Sequence, residues 1–391
     1  MKKGLILLAL TMVLASCSAR EPNDEAYISA IGLDKGEESK YSVTIQFAIP
    51  EGISGGPGDK GKDETVKNIS IDASDIYSAV DLANHMMSRR FSLSHMKLIV
   101  FSKGIAEEGI GSIMEGFMTS DEIRPNLLTA VSRGRANEYL ENTKPVMEKN
   151  PTKYYHMIYE SNNSTGIPAA PAVNVLSDLK SKDKDAVLPL AGEEGSGSGG
   201  QKPDTGFDHD NPDYKAVDVN IIEESRSEVL GMAVFSGDKL VCELGRKDAD
   251  IYNILTGRYV NNFDSFPFGE ENITLKLSET KKPVYDIDII NEEINISISL
   301  EGECSSQPET KIADRESLEQ GISEEISRKC SELITGMRDE YNSDIVGIGK
   351  KVKRYCRDMK EYDSTDFDSR FRHYKVNVET KVKIKESAVV N

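Results

Sequence analysis

The chain has no tryptophan, only five histidines and five cysteines among 391 residues, and too few basic residues to balance its acids: 48 Lys and Arg stand against 66 Asp and Glu, a net charge of −18. Each scarcity excludes something. Nucleic-acid surfaces need clustered Lys and Arg, so that class of partner is out. The same deficit argues against basic clusters on anionic headgroups as the main hold on a membrane. The histidines, His85, His95, His156, His209 and His373, provide no i, i+4 pair of the kind that grips zinc. Cys242, Cys304, Cys330 and Cys356 are widely spaced and match no zinc pattern. Beyond residue 16, no apolar run approaches the roughly 20 residues that a bilayer span requires.

The first residues do carry a pattern. Lys2 and Lys3 precede a short apolar run from Gly4 to Val13, too short to span a bilayer and of signal-peptide length. Leu14-Ala15-Ser16-Cys17 follows, an apolar residue and two small ones ahead of a cysteine, the site that lipoprotein signal peptidase cuts. Residues 1–16 are therefore expected to leave as a signal, with a diacylglyceryl group on the Cys17 thiol. One acyl chain holds a protein only marginally, whereas two hold it stably. An exported chain can form disulfides, but Cys330 falls on an apolar helical stripe and is expected to be a small core residue.

The remaining length suits two or three domains. Ala26–Asp34 and Tyr41–Ile49 read as strands of a hairpin, followed by a glycine-rich loop over Gly52–Lys62 and a strand over Thr65–Ile71. Asp75–Arg90 reads as a helix with Ile76, Val80, Ala83 and Met87 on one face, and His95–Phe101 as an interior strand. Helix is expected over Lys103–Met118, strand over Leu127–Val131, and helices over Ala136–Asn142, Lys153–Ser161 and Val173–Leu179. Glu193–Pro212 is rich in Gly, Ser, Asp and Pro and reads as a linker. Strands are expected over Val217–Ile222, Val229–Phe235 and Leu240–Glu243, with a helix over Lys247–Leu255 that ends at Gly257. Three more follow over Ile273–Leu277, Val284–Ile290 and Ile294–Leu300. Ser317–Tyr341 is the longest predicted helix, with Leu318, Ile322, Ile326, Cys330, Ile334, Met337 and Tyr341 as its stripe. A helix over Asp344–Met359 and a period-two strand over Tyr374–Ile384 close the chain. The expected class is α+β and multi-domain, with mixed and antiparallel sheets and helices packed on one face. Its domains are the signal over 1–16, an N-terminal α/β domain over 17–192, a linker over 193–215 and a C-terminal α+β domain over 216–391, whose order leaves room for two subdomains.

Chemistry is harder to find. Gly195-x-Gly197-x-x-Gly200 has dinucleotide-loop spacing but lacks the strand before it and the helix after it. The Gly-x-Ser-x-Gly letters at Gly52–Gly56 fall in the glycine-rich loop between two expected strands, not on the strand-to-helix turn of a nucleophile elbow. Asp34, Asp121-Glu122 and Glu223-Glu224 could pair as acids, yet on so acidic a chain they read as a solvated face. The expectation is no catalytic residue, no metal site, no cofactor and no enzyme.

Several motifs do carry a likeness. Cys17 is followed by Ala30-Ile31-Gly32-Leu33-Asp34, then Arg90 with Ser94-His95-Met96-Lys97-Leu98-Ile99-Val100-Phe101, then Asp121-Glu122-Ile123-Arg124. Gly231-Met232-Ala233-Val234-Phe235 with Asp238-Lys239-Leu240-Val241, and Asp344-Ile345-Val346-Gly347-Ile348-Gly349, complete the order. In order and spacing the chain resembles the Ger(x)C family, lipoprotein C subunits of nutrient germinant receptors in endospore-forming bacteria. It departs from that family in having Ser18-Ala19-Arg20 where Trp-Asp often follows the lipid cysteine, and Asp366-Phe367 near where a tryptophan is often seen. The resemblance implies a non-enzymatic subunit beside two integral-membrane receptor subunits, an A-type and a transporter-like B-type, outside the cytoplasm on the spore inner membrane. It also implies a mixed, multi-domain fold and offers no catalytic residues. Arg90, His95 and Lys97 are its best-matched polar residues and read as structural groups. The alternative is a solute-binding lipoprotein of an importer, which would repeat parallel βαβ units in both lobes, unlike the strand-then-helix order of the second half. An extracytoplasmic hydrolase is disfavoured by the missing motifs.

Overall fold

The computed structural model describes residues 25–48, 66–143, 148, 150–160, 167–193, 227–268, 271–304 and 315–385. Cys17, the glycine-rich loop, the body of the expected linker and the strand expected over 217–222 lie outside the described residues.

The N-terminal hairpin forms as its alternation predicts. β1 (Glu25–Lys35) pairs antiparallel with β2 (Tyr41–Ala48), and β2 with β3 (Val66–Ala73). The sheet then turns parallel: β1 takes β5 (Leu98–Ser102), β5 takes β6 (Leu128–Ser132), and β6 takes β7 (Val187–Glu193). Antiparallel β8 (Ser227–Ser236) and β9 (Lys239–Gly245) finish it, and the short β4 (Arg90–Ser92) lies parallel to the start of β1. Two of these nine strands thus come from beyond the expected linker. β5 is nearly all apolar because both its faces are covered: Ile99 and Phe101 join one apolar cluster, Leu98 and Val100 another.

Helices α1 (Ile76–Met86), α2 (Lys103–Glu108), α3 (Gly111–Met118) and α6 (Ala172–Leu179) cover the first of these faces; α4 (Ala136–Asn142) and α5 (Pro151–Tyr159) cover the second. The second sheet runs β10 (Asn262–Phe268), β11 (Glu271–Asp288), β12 (Glu293–Cys304) and β13 (Lys375–Lys385), antiparallel until β13 lies parallel to β12. α7 (Arg246–Thr256) ends at Gly257 in the left-handed conformation, where the expected stop stands. The long α8 (Arg315–Tyr341) buries Leu318, Ile322, Ile326, Cys330, Ile334 and Met337, with Leu333 added to the expected stripe. The fold is α+β and multi-domain, with a mixed sheet and a largely antiparallel one. The two units share a core, because Met232, Val234, Cys242 and Leu244 of the first sheet join the cluster beneath α8.

Several expected boundaries shift. Met87 lies past the end of α1 and outside its buried face. The helix expected over 103–118 is two, interrupted at Gly109, whose φ of 124° suits a residue without a side chain. Ile273–Leu277 and Val284–Ile290 are largely one bulged strand, β11, with Ile290 in the turn after it. The helix expected over 344–359 reduces to α9 (Ile348–Val352), a short 3-10 turn and α10 (Met359–Thr365), because Gly347 turns left-handed at φ 76°. β7 and β10 have no counterpart among the expected strands. Cys242, Cys330 and Cys356 are free thiols, and burial pushes the Cys330 thiol up to about 12.

Candidate functional site

The motif residues divide into those that hold the body together and those that open onto solvent. In Ala30–Asp34 the middle residue approaches α4 closely: a Cβ on Gly32 would lie 3.0 Å from Leu140 Cδ1 and 3.2 Å from Ala136. Asp34, expected on a solvated face, is buried, and its carboxylate accepts the backbone N–H groups of Ala136 and Asn137, both at 2.9 Å. It closes the N-terminus of α4, where anions are favoured. Within Ser94–Phe101, Lys97 pairs with Glu160 at 2.9 Å and His95 meets the Tyr27 ring edge-on at 4.6 Å. Each side chain thus has a partner within the body.

The Asp344–Gly349 motif fastens the two units. The Asp344 carboxylate accepts the N–H of Gly347 (2.8 Å) and of Gly349 (2.7 Å), shaping the turn. Asp344 N–H donates to Asp185 Oδ2 at 2.9 Å, and Asp185 N–H returns a bond to the Asp344 carbonyl at 3.0 Å. Burial raises the Asp344 carboxyl to about 6 and raises Asp185 in the same direction. Around this pair, Lys350 and Lys184 both reach Asp178, at 2.6 and 2.7 Å, and Lys353 reaches Asp183 at 3.2 Å. Asp178, Asp183 and Asp185 had no signal in the sequence, since Asp178 to Asp185 alternates charges as any solvated loop does.

Arg90 opens onto a cleft of about 260 Å³ between α1, β4 and the turn at residues 120–122. Glu25, Asp81 and Glu122 share its lining with Tyr77 and Asn84, so motif residues 32 positions apart, Arg90 and Glu122, converge there. The Phe91 N–H donates to Asn84 Oδ1 at 2.7 Å and fixes the floor. Among the described residues no hydrogen bond in the cleft joins a hydroxyl to a carboxylate, and no group of three or more His, Cys, Asp or Glu is placed to hold a metal ion. No helix among them is long and apolar enough to cross a membrane.

A mixed sheet bolted through an acid–lysine junction to a helix-backed second sheet defines a multi-domain α+β protein built around its internal interfaces. Its residues 18–192 match the spore germination protein N-terminal domain model, and residues 230–388 match the spore germination B3/GerAC-like C-terminal model. The chain belongs to the Ger(x)C family of spore germination proteins. It is 21% identical over 399 residues to spore germination protein GerQC of Bacillus cereus, covering 100% of this chain and 99% of the relative. It is 29% identical over 153 residues to spore germination protein KC of Bacillus subtilis strain 168, covering 38% of each. The crystal structure of the GerBC protein shares the fold, with a TM-score of 0.55 at 13% identity, over 91% of this chain and 97% of that one. This is a family of germinant-receptor C subunits and not a known enzyme family.

Proposed function

We propose that the protein is the lipid-anchored, non-enzymatic C subunit of a nutrient germinant receptor, held through Cys17 on the outer face of the spore inner membrane. It works by association with two integral-membrane subunits, an A-type and a transporter-like B-type, and takes no cofactor. The observation that carries this reading is the placement of the family match: it begins at residue 18, directly after the cysteine of Leu14-Ala15-Ser16-Cys17, and resumes through residue 388. The same reading takes 17–192 and 216–391 as the two domains. Deleting the gene in a spore-former is expected to abolish the response to a subset of nutrients and spare non-nutrient triggers, with both membrane subunits co-purifying with the protein. Cys17→Ala should leave an unprocessed precursor or a released body. Normal germination of the deletion strain on every nutrient, with tight binding of one nutrient by the isolated body, would move the assignment to a solute-binding lipoprotein.

A further inference from the structure

The structure places an apolar shoulder beside the start of the folded body. Among the described residues, Leu82 (47% exposed), Met86 (70%) and Met87 (37%) are large apolar groups left in solvent on α1 and directly after it. Leu82 and Met86 stand four apart and so share one flank of the helix. Tyr77, Asp81 and Asn84 occupy the other flank, where they line the acidic cleft. The carboxylates of Asp81, Glu25 and Glu122 therefore lie on the cleft side, away from the shoulder.

The shoulder is also locally basic on an acidic protein. From Leu82 to Ala106 there is no Asp or Glu, and Arg89 follows the two methionines after Ser88, whereas Arg90 lines the cleft. The other two basic residues of that stretch are engaged, Lys97 with Glu160 and Lys103 with Glu243. Flexible methionine side chains next to a guanidinium group suit a headgroup–acyl boundary, where the apolar parts enter and the charge stays at phosphate level.

Chain length limits where this shoulder can go. Glu25 sits opposite Arg90 in the parallel pairing of β1 and β4, one strand spacing of about 4.8 Å away. From Cys17 to Glu25 the chain can reach at most about 29 Å, even fully extended. A lipid on Cys17 thus keeps Arg90, and the methionines three and four residues before it, near the bilayer surface.

We infer that Leu82, Met86 and Met87, with Arg89 beside them, form the face that lies on the lipid surface and sets the orientation of the body. The inference rests on Cys17 as the lipid attachment. The covalent lipid supplies the hold; the shoulder supplies the orientation.

The absence of native tryptophan gives a clean test. Full-length lipidated protein carrying Met86→Trp, Met87→Trp or, as a remote control, Ile290→Trp (90% exposed on the second sheet's hairpin turn) is reconstituted on phosphatidylcholine–phosphatidylglycerol vesicles. The phosphatidylcholine is then replaced by its brominated-acyl form. The expected result is a loss of about twofold or more in fluorescence for the first two and none for Ile290→Trp. A Leu82→Asp/Met86→Asp variant should still float with the vesicles but lose the quenching of Met87→Trp. If the protein floats and neither methionine position is quenched, or if Ile290→Trp is quenched equally, the orienting face is wrong while the anchor stands. If the wild-type chain acquires no lipid and does not float, the anchor reading falls and takes the orientation with it.

Discussion

Ser323 Oγ accepts the backbone N–H of Val382 at 3.0 Å, and that bond is one rung of a ladder between α8 and the edge of the second sheet. Ser327 Oγ accepts from Thr380 N–H at 2.8 Å, and Glu319 Oε1 from Ile384 N–H at 2.8 Å. Four helical residues rise about 6 Å and two strand residues about 6.7 Å, so side chains at 319, 323 and 327 match N–H groups at 384, 382 and 380 with helix and strand antiparallel. An edge strand whose N–H groups are used this way offers no template to another chain.

Replacing Ser323 by alanine is expected to destabilise the protein by about 1–2 kcal/mol, since it strands the N–H of a buried valine. Helix propensity alone favours alanine, so a net loss in urea unfolding isolates the hydrogen bond. Gln320→Ala, on the exposed side of α8, should change stability by less than about 0.5 kcal/mol.

Asp34→Ala removes the acceptor for two N–H groups at the start of α4. The expected cost is about 1–2 kcal/mol. Asp34→Asn keeps one acceptor and loses the charge, so it should fall between wild type and alanine. Equal stability of all three in thermal unfolding would contradict the capping role.

Two glycines should differ in how badly they tolerate a methyl group. At Gly32 the new Cβ presses mainly on the end of Leu140, and the neighbour can yield; the expected cost is about 1–3 kcal/mol. At Gly231 φ is 154° and the Cβ would sit 2.1 Å from the Leu244 carbonyl oxygen, in the pairing of β8 with β9. Gly231→Ala should therefore prevent accumulation of folded protein, while Gly32→Ala yields a folded but weaker one. Soluble yield and melting temperature read the difference.

Asp344 has a sign that is easily tested. Burial lifts its folded carboxyl to about 6 from an ordinary 3.8, so the folded state holds this proton more tightly than the unfolded one. Its contribution to stability is fully present below pH 3.8 and is lost as the pH rises to about 6. Asp344→Asn should flatten the fall in melting temperature between those values relative to wild type. A steeper fall in the variant would reverse the assignment.

Legibility in the sequence followed the strength of local pattern. α8 and β13 were readable because a 3.6-residue stripe and a two-residue alternation ran unbroken for many residues. β7 was not, because Leu188-Pro189-Leu190-Ala191 has neither period and holds its place through partners on β6 and β8. The run 344–359 has helical composition, yet Asp344 binding two glycine N–H groups favours a turn, and only the folded structure reveals its second partner, Asp185. The motifs pointed to the right segments. Their work at Asp34 and Asp344 was invisible because a carboxylate beneath a helix or in a turn is written with the same letter as one in water.

The interleaved first sheet bears on how the chain can be made. β7 finds its outer neighbour only when residues past 227 are available, and the β12–β13 pairing joins Asn295 to Asn377. The first sheet therefore cannot close until residues beyond 227 have been made, and β12 keeps one edge unpaired until residues 375–385 follow. Slow closure of this kind makes the period just after synthesis, and not the resting folded state, the stage at which the chain is most exposed to proteases and to neighbouring nascent copies.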